Sequence, residues 1–209
     1  MSALLHCLET QDAHALSHLL ARQPHLTNAP VVEGDHAPHP IHAVCDRVFD
    51  GRLESAKGLD FANALISAGA DLDAVHPGNG DTLLISAISL SCPAIAHRLL
   101  DKGANPDPRG VFGATALHWA AIMGMPDLVK RLINHGVYIF LRDTQYQGTP
   151  LGWAVQGRID PPPGARGGQV DCAALLVAAG LQPEAEWSAS EQIQSDAALC
   201  SALNWRQSA

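Results

Sequence analysis

The sequence predicts an all-α fold: a solenoid of stacked helix–turn–helix units joined by short hairpin loops. Two observations carry this. The 209-residue chain repeats itself, with TLLISAI (residues 82–88) and TALHWAA (residues 115–121) standing 33 positions apart. The same offset lays PAIAHRLLDKGA (residues 93–104) over PDLVKRLINHGV (residues 126–137) without a gap. Self-similarity at such a period marks stacked supersecondary units. Composition agrees, since 47% of the residues are hydrophobic but only 5% aromatic. Small aliphatic residues of this kind suit close helix–helix packing more than a β-sandwich.

Taken in order, residues 1–30 read as a degenerate helical cap. Asp12 is placed to cap its second helix, with Leu16, Leu19 and Leu20 buried. A Pro-, Gly- and polar-rich linker covers residues 27–38. Residues 31–75 form a first unit, opened by HPIHAVC (39–45) and closed by DFANALISAGADLDA (60–74). Residues 76–108 and 109–143 form the two regular units. Residues 144–182 form a fourth, opened by TPLGWAV (149–155) and closed by DCAALLVAAGL (171–181). The opening position and the closing glycine are 21 apart in the regular units (Thr82 to Gly103, Thr115 to Gly136). They are 30 apart from His39 to Gly69 and 31 apart from Thr149 to Gly180. The outer units therefore carry insertions between their two helices, around residues 49–58 and 157–168. Residues 183–209 read as a C-terminal helical cap. Ser188 and Glu191 have capping-box spacing, and a helix continues or restarts over 196–203.

Within a unit each residue type has a physical task. Thr82, Thr115 and Thr149 cap first helices through their hydroxyls. The pair Ala120 and Ala121 lets neighbouring helices approach, and Gly124 ends the first helix. Pro126 starts the second helix, where Asp127 suits the positive end of the helix dipole. Leu128, Val129, Leu132 and Ile133 recur at helical spacing as a buried stripe. Gly69, Gly103, Gly136 and Gly180 supply the positive φ at which the chain leaves each second helix. No single unit buries its apolar face alone, so stacking creates the core.

These motifs, TALHWAA and TPLGWAV with the recurrent leucine–glycine–alanine endings, resemble the ankyrin repeat over roughly residues 38–182. The resemblance implies that Thr115 and His118 form a structural hydrogen-bonded pair and that His42 holds the equivalent place in its unit. It further implies that first helices face a concave groove, with the hairpin tips as a second contact surface. Three positions depart from the pattern. Ile85 and Gly152 stand where the family has histidine, and His39 stands where it has threonine, which weakens the ladder between repeats.

Candidate contacts with a protein partner follow. Trp119 and Trp153 occupy the same repeat position, and tryptophan brings large contact area at low entropic cost. The alternative for each ring is packing beneath the adjacent hairpin. The tips contribute Arg109, Phe112, Arg142, Tyr146 and Gln147. The insertion IDPPPGARGGQ (159–169) cannot be helical throughout. With Arg166 within it and Arg158 just before it, it forms a basic spot for an acidic surface.

Other functions have weaker support. A formal charge of −8 disfavours general affinity for nucleic acid. No window approaches the roughly 20 apolar residues of a membrane helix. MSALLHCLETQ lacks the basic region of an export signal. Five cysteines without a CxxC pair read as reduced thiols. No nucleophile elbow, zincin, phosphate-loop or dinucleotide motif occurs. The expectation is a cytoplasmic, monomeric, non-enzymatic module that binds another protein without a cofactor, as adaptor or inhibitor. Two alternatives stand beside it: a metal-binding protein or metal-dependent enzyme using His36, His39, His42 and Cys45, and a structural homo-oligomer. His14 and His18 share a helix face and read as surface.

Overall fold

The computed structural model describes residues 3–32 and 37–205. The fold is all-α. Among the described residues the only strand-like pairing is one antiparallel bridge between Val75 and Thr82. The chain divides into two compact units, one on each side of Asn105 and Pro106.

The N-terminal unit contains α1 (Ala3–Thr10), α2 (Ala13–Arg22), a 3-10 turn at Pro24–Asn28, α3 (Pro40–Phe49), α4 (Ser55–Ser67), α5 (Leu83–Ser89) and α6 (Pro93–Asp101). Consecutive helices pair as hairpins, and the hairpins stack through α2 on α4, α3 on α5 and α4 on α6. Asp12 caps α2 by accepting from the Ala15 amide at 2.8 Å. Leu16 and Leu20, one helical turn apart, are buried. Leu19 sits round the helix from both and is half-buried, where burial was expected. His39 does the work of the missing threonine, since its Nδ1 accepts from the Ile41 amide at 3.2 Å. Ile85 replaces the family histidine with apolar volume and is fully buried. Its amide still donates to the Thr82 hydroxyl at 3.3 Å, so the cap survives without the histidine.

The first insertion is largely helix. α3 and α4 have 10 and 13 residues, whereas α5 and α6 have 7 and 9. Side chains stitch successive units at the base of the hairpins. Asn28 Oδ1 accepts from the Asp71 amide, and Asp73 Oδ1 accepts from the Asn105 amide, both at 2.8 Å. Phe61, Leu65, Ile41, Ile88, Ile95 and Leu99 form the core and are essentially inaccessible. Each contributes about 1.5–3 kcal/mol through burial.

The C-terminal unit contains α7 (Ala116–Ile122), α8 (Pro126–Asn134), α9 (Pro150–Ile159), α10 (Gln169–Ala178), a 3-10 turn at Ala185–Ala189, α11 (Glu191–Gln194) and α12 (Ala197–Ala202). Helix α7 packs on α8 and α9, and α10 packs on α8, α9 and α12. The approach of α9 to α7 is close enough to require Gly157. An ideal Cβ there falls 2.4 Å from the Ile122 carbonyl oxygen. The second insertion lengthens α9 and leaves residues 160–168 as a loop. Its far end is pinned to the end of α7, where the Arg166 amide donates to the Met123 carbonyl at 2.7 Å. The buried Gln169 side chain donates to the Ile122 carbonyl at 3.1 Å.

The C-terminal cap begins differently from the expectation. Ser188 lies inside the 3-10 turn, and Ser190 is the residue whose hydroxyl accepts from the Ile193 amide, at 3.4 Å. Asp196 then caps α12 through the Leu199 amide at 3.0 Å. Gly69, Gly103, Gly136 and Gly180 all have φ between +81° and +112°. All five cysteines are buried free thiols. Among the described residues no helix is long and apolar enough to cross a membrane.

Candidate functional site

The hairpin tip before α9 is organised by Asp143, which is buried. Its Oδ1 accepts from the Gln145 amide at 2.9 Å and from the Tyr146 amide. Its Oδ2 accepts from the Gly148 amide at 2.8 Å and from Trp153 Nε1 at 2.9 Å. Burial alone would raise the carboxyl pKa, but the amides of Tyr146, Gly148 and Gln145 and the Trp153 indole outweigh it and hold the pKa below the usual value. The preceding tip docks on this one. Phe112 adopts φ +64°, and its carbonyl accepts from the Thr144 amide at 2.9 Å and the Thr144 hydroxyl at 2.9 Å.

The Thr115 and His118 pair joins helix to tip. The Thr115 amide donates to His118 Nδ1 at 3.2 Å, and the Thr115 hydroxyl lies 2.9 Å from the same nitrogen. His118 Nε2 reaches the Gly148 carbonyl at 3.3 Å. Burial pushes the imidazole pKa down to about 4. It is therefore a neutral, enclosed ring with both nitrogens engaged. Thr149 caps α9 by accepting from the Gly152 amide at 3.2 Å.

Above this frame the C-terminal unit opens a cleft of about 880 Å³. Phe112, Trp119, Tyr146, Trp153 and Trp187 all line it. Trp119 meets Trp153 edge-on at 5.2 Å between centroids, and Phe112 lies 6.3 Å from Trp119 and 5.6 Å from Tyr146. The insertion supplies a wall through Pro161, Pro162 and Pro163. Gly152 also lines the cleft, and an ideal Cβ there would already lie 3.7 Å from Trp187 Cζ2. By contrast, the groove of about 780 Å³ in the N-terminal unit is lined by small and polar residues such as Ala13, Ser17, Asp60 and Asn63.

The residues selected from sequence fall into three groups. Trp119 is half-buried, while Trp153 is only 6% exposed with its indole N–H engaged by Asp143. Phe112 and Tyr146 are 36% and 63% exposed at the rim. The arginines act largely on their own chain. Arg109 donates to the Gly113 and Arg142 carbonyls at 2.8 and 2.9 Å. Arg142 donates to the Gln147 carbonyl and pairs with Glu184 at 2.9 Å. Arg158 pairs with Asp196 at 2.7 Å. Gln147 donates to the Thr144 carbonyl at 3.3 Å, and Arg166 is exposed on the loop. Sequence reasoning missed Asp143 and Trp187. Trp187 carried no repeat signal: it stands 34 positions after Trp153, but the insertion in that unit moves the equivalent repeat position about ten residues further on, and Trp187 lies in a 3-10 turn instead of a first helix.

Of the histidine-rich cluster, His36 lies outside the described residues. His39 uses Nδ1 on the Ile41 amide and Nε2 on Asn28 Oδ1 at 3.0 Å. His42 is buried beside the His76 ring, with centroids 5.1 Å apart, and burial pushes its pKa down to about 3. The buried Cys45 thiol shares a hydrogen bond with Cys92 that, with burial, raises its pKa. Among the described residues no group of three or more His, Cys, Asp or Glu is placed to hold a metal ion. His14 and His18 meet at the surface of α2, their Nε2 atoms 3.0 Å apart.

Comparison with known proteins agrees with this architecture. The family model for ankyrin repeats in three copies matches residues 53–143 and 91–186. NF-kappa-B inhibitor delta of Mus musculus is 30% identical over 146 residues, covering 68% of this chain and 40% of that protein. A putative ankyrin repeat-containing protein of Treponema pallidum (strain Nichols) is 29% identical over 131 residues, covering 56% and 41%. The B-cell lymphoma 3 protein homolog of Mus musculus is 34% identical over 95 residues, covering 46% and 21%. The chain spans about two fifths or less of the length of these relatives. The repeated helix pairs, the threonine caps, the glycine exits and a family match across residues 53–186 lead to one conclusion: this chain belongs to the ankyrin-repeat family.

Proposed function

We propose that this protein is an interaction module that seats a partner protein in the aromatic cleft of its C-terminal unit. Ankyrin repeats bind other proteins, and the observation that carries the particular surface is the cleft itself. Five aromatic residues line one opening in a chain with few aromatics. Aromatic anchors in well-packed pockets dominate protein interfaces. The frame beneath them is hydrogen-bonded before any partner arrives, so binding costs little ordering entropy. Phe112 and Tyr146 at the rim supply the first contacts, and Trp119 and Trp187 supply the deeper ones. The module acts by occupying its partner, as adaptor or inhibitor, in the cytoplasm and without catalysis or a cofactor. The inhibitor form of this reading is supported by the name of one relative, an inhibitor of NF-kappa-B.

Affinity purification from the native host tests this reading. The intact chain is the bait, and a Trp119→Ala/Trp187→Ala variant with unchanged helical circular dichroism is the control. A protein retained by the intact chain and lost with the variant is the expected result. Equal retention by both baits would exclude the cleft as the binding surface.

A further inference from the structure

The lining of the cleft is selective as well as apolar. Its charged residues are Asp160 and Glu184, and no lysine, arginine or histidine lines it among the described residues. Glu184 is answered by Arg142 at 2.9 Å. Asp160 follows α9, is exposed, and has no side-chain partner among the described residues. One carboxylate therefore faces the opening without an internal cation. Aromatic faces add negative potential of their own. Of the ring donors, the Trp153 N–H is engaged by Asp143, and the Trp119 N–H is buried without a partner. The proline wall offers carbonyl acceptors and no amide donors. The whole chain carries a formal charge of −8, which favours a basic partner at longer range.

We infer that the cleft takes an arginine side chain, presented by a basic segment of the partner protein. The inference rests on the cleft reading proposed above. A guanidinium fits the aromatic faces, the free carboxylate and the proline carbonyls of the lining. It stacks on aromatic faces, forks onto a carboxylate, carries only donors, and sheds water more readily than an ammonium. A lysine satisfies the charge but not the planar stacking. An acidic or purely aliphatic segment leaves Asp160 opposed or unanswered.

A phage-displayed random peptide library, selected on the intact chain and counter-selected on the Trp119→Ala/Trp187→Ala variant, supplies the probe. Enriched peptides are expected to share an arginine at one position. Binding of the synthetic consensus peptide is then followed by intrinsic fluorescence, since three of the four tryptophans line the cleft. Replacing the arginine with neutral citrulline, or making Asp160→Asn in the protein, is expected to weaken binding by about tenfold or more. Lysine in place of arginine is expected to bind less tightly, and equal binding would overturn the guanidinium assignment. Peptides that need the tryptophans but share no basic position would overturn the inference and leave the cleft reading standing. Peptides indifferent to the tryptophans, or no enrichment at all, would overturn both.

Discussion

Asp143 shows how much of a binding surface depends on one buried carboxylate. Four donors converge on it, three backbone amides and one indole. Removing it leaves the buried Trp153 indole and three part-buried amides without their acceptor. Asp143→Ala is expected to lower stability by about 3 kcal/mol, whereas Trp153→Phe, which deletes one donor, is expected to cost about 1 kcal/mol. Urea denaturation distinguishes them. Three histidines give a second prediction at this scale. Burial lowers the pKa of His39 to about 4, His42 to about 3 and His118 to about 4. In the unfolded chain each titrates near 6.5. Below that value the unfolded state binds protons the folded state refuses, so stability present above pH 6.5 is lost as pH falls towards 4 and 3. The urea midpoint is expected to drop between pH 7 and pH 5, before the carboxylates protonate. Little of this was legible in the sequence. An aspartate in a hairpin tip resembles any turn residue, and its role appears only when Trp153 folds back onto it. The third tryptophan was not legible either, because the insertion before it breaks the repeat register and Trp187 falls in a 3-10 turn that matches no repeat position.

At the scale of elements, local chemistry decided most boundaries. Proline starts, threonine caps and glycine exits stand where their backbone needs place them, because each acts within a few residues of itself. Ser188 and Ser190 show where such reasoning fails. Ser188 has Glu191 at capping-box spacing and Ser190 has Ile193 three residues on, and the 3-10 turn ending at Ala189 absorbs the first. The two insertions were visible as excess length, but their division into extra helical turns and loop depends on tertiary packing. Gly157 is the clearest case, where the approach of α9 to α7 leaves no room for a methyl group. Gly157→Ala is expected to force the helices apart and cost about 1–3 kcal/mol despite the better helix propensity of alanine. Leu132→Ala in α8 empties a fully enclosed site and is expected to cost about 2–5 kcal/mol. Thermal or urea unfolding of the two variants checks both values.

For the whole molecule, the repeat was the strongest message in the sequence, because a 33-residue period is written in many residues at once. The family followed from it. The cleft followed only in part: Trp119, Trp153, Phe112 and Tyr146 stand on repeated helices and tips, whereas the proline loop and the degenerate cap that complete its walls do not repeat. Its occupant is the central question. Amide hydrogen exchange of the intact chain, free and saturated with the retained partner, tests the answer most directly. The account predicts new protection in residues 143–148 and 160–168 and around Trp187, with the outer helices α8 and α10 unchanged. Protection confined to α8 and α10, with the cleft exchanging as in the free protein, would contradict it.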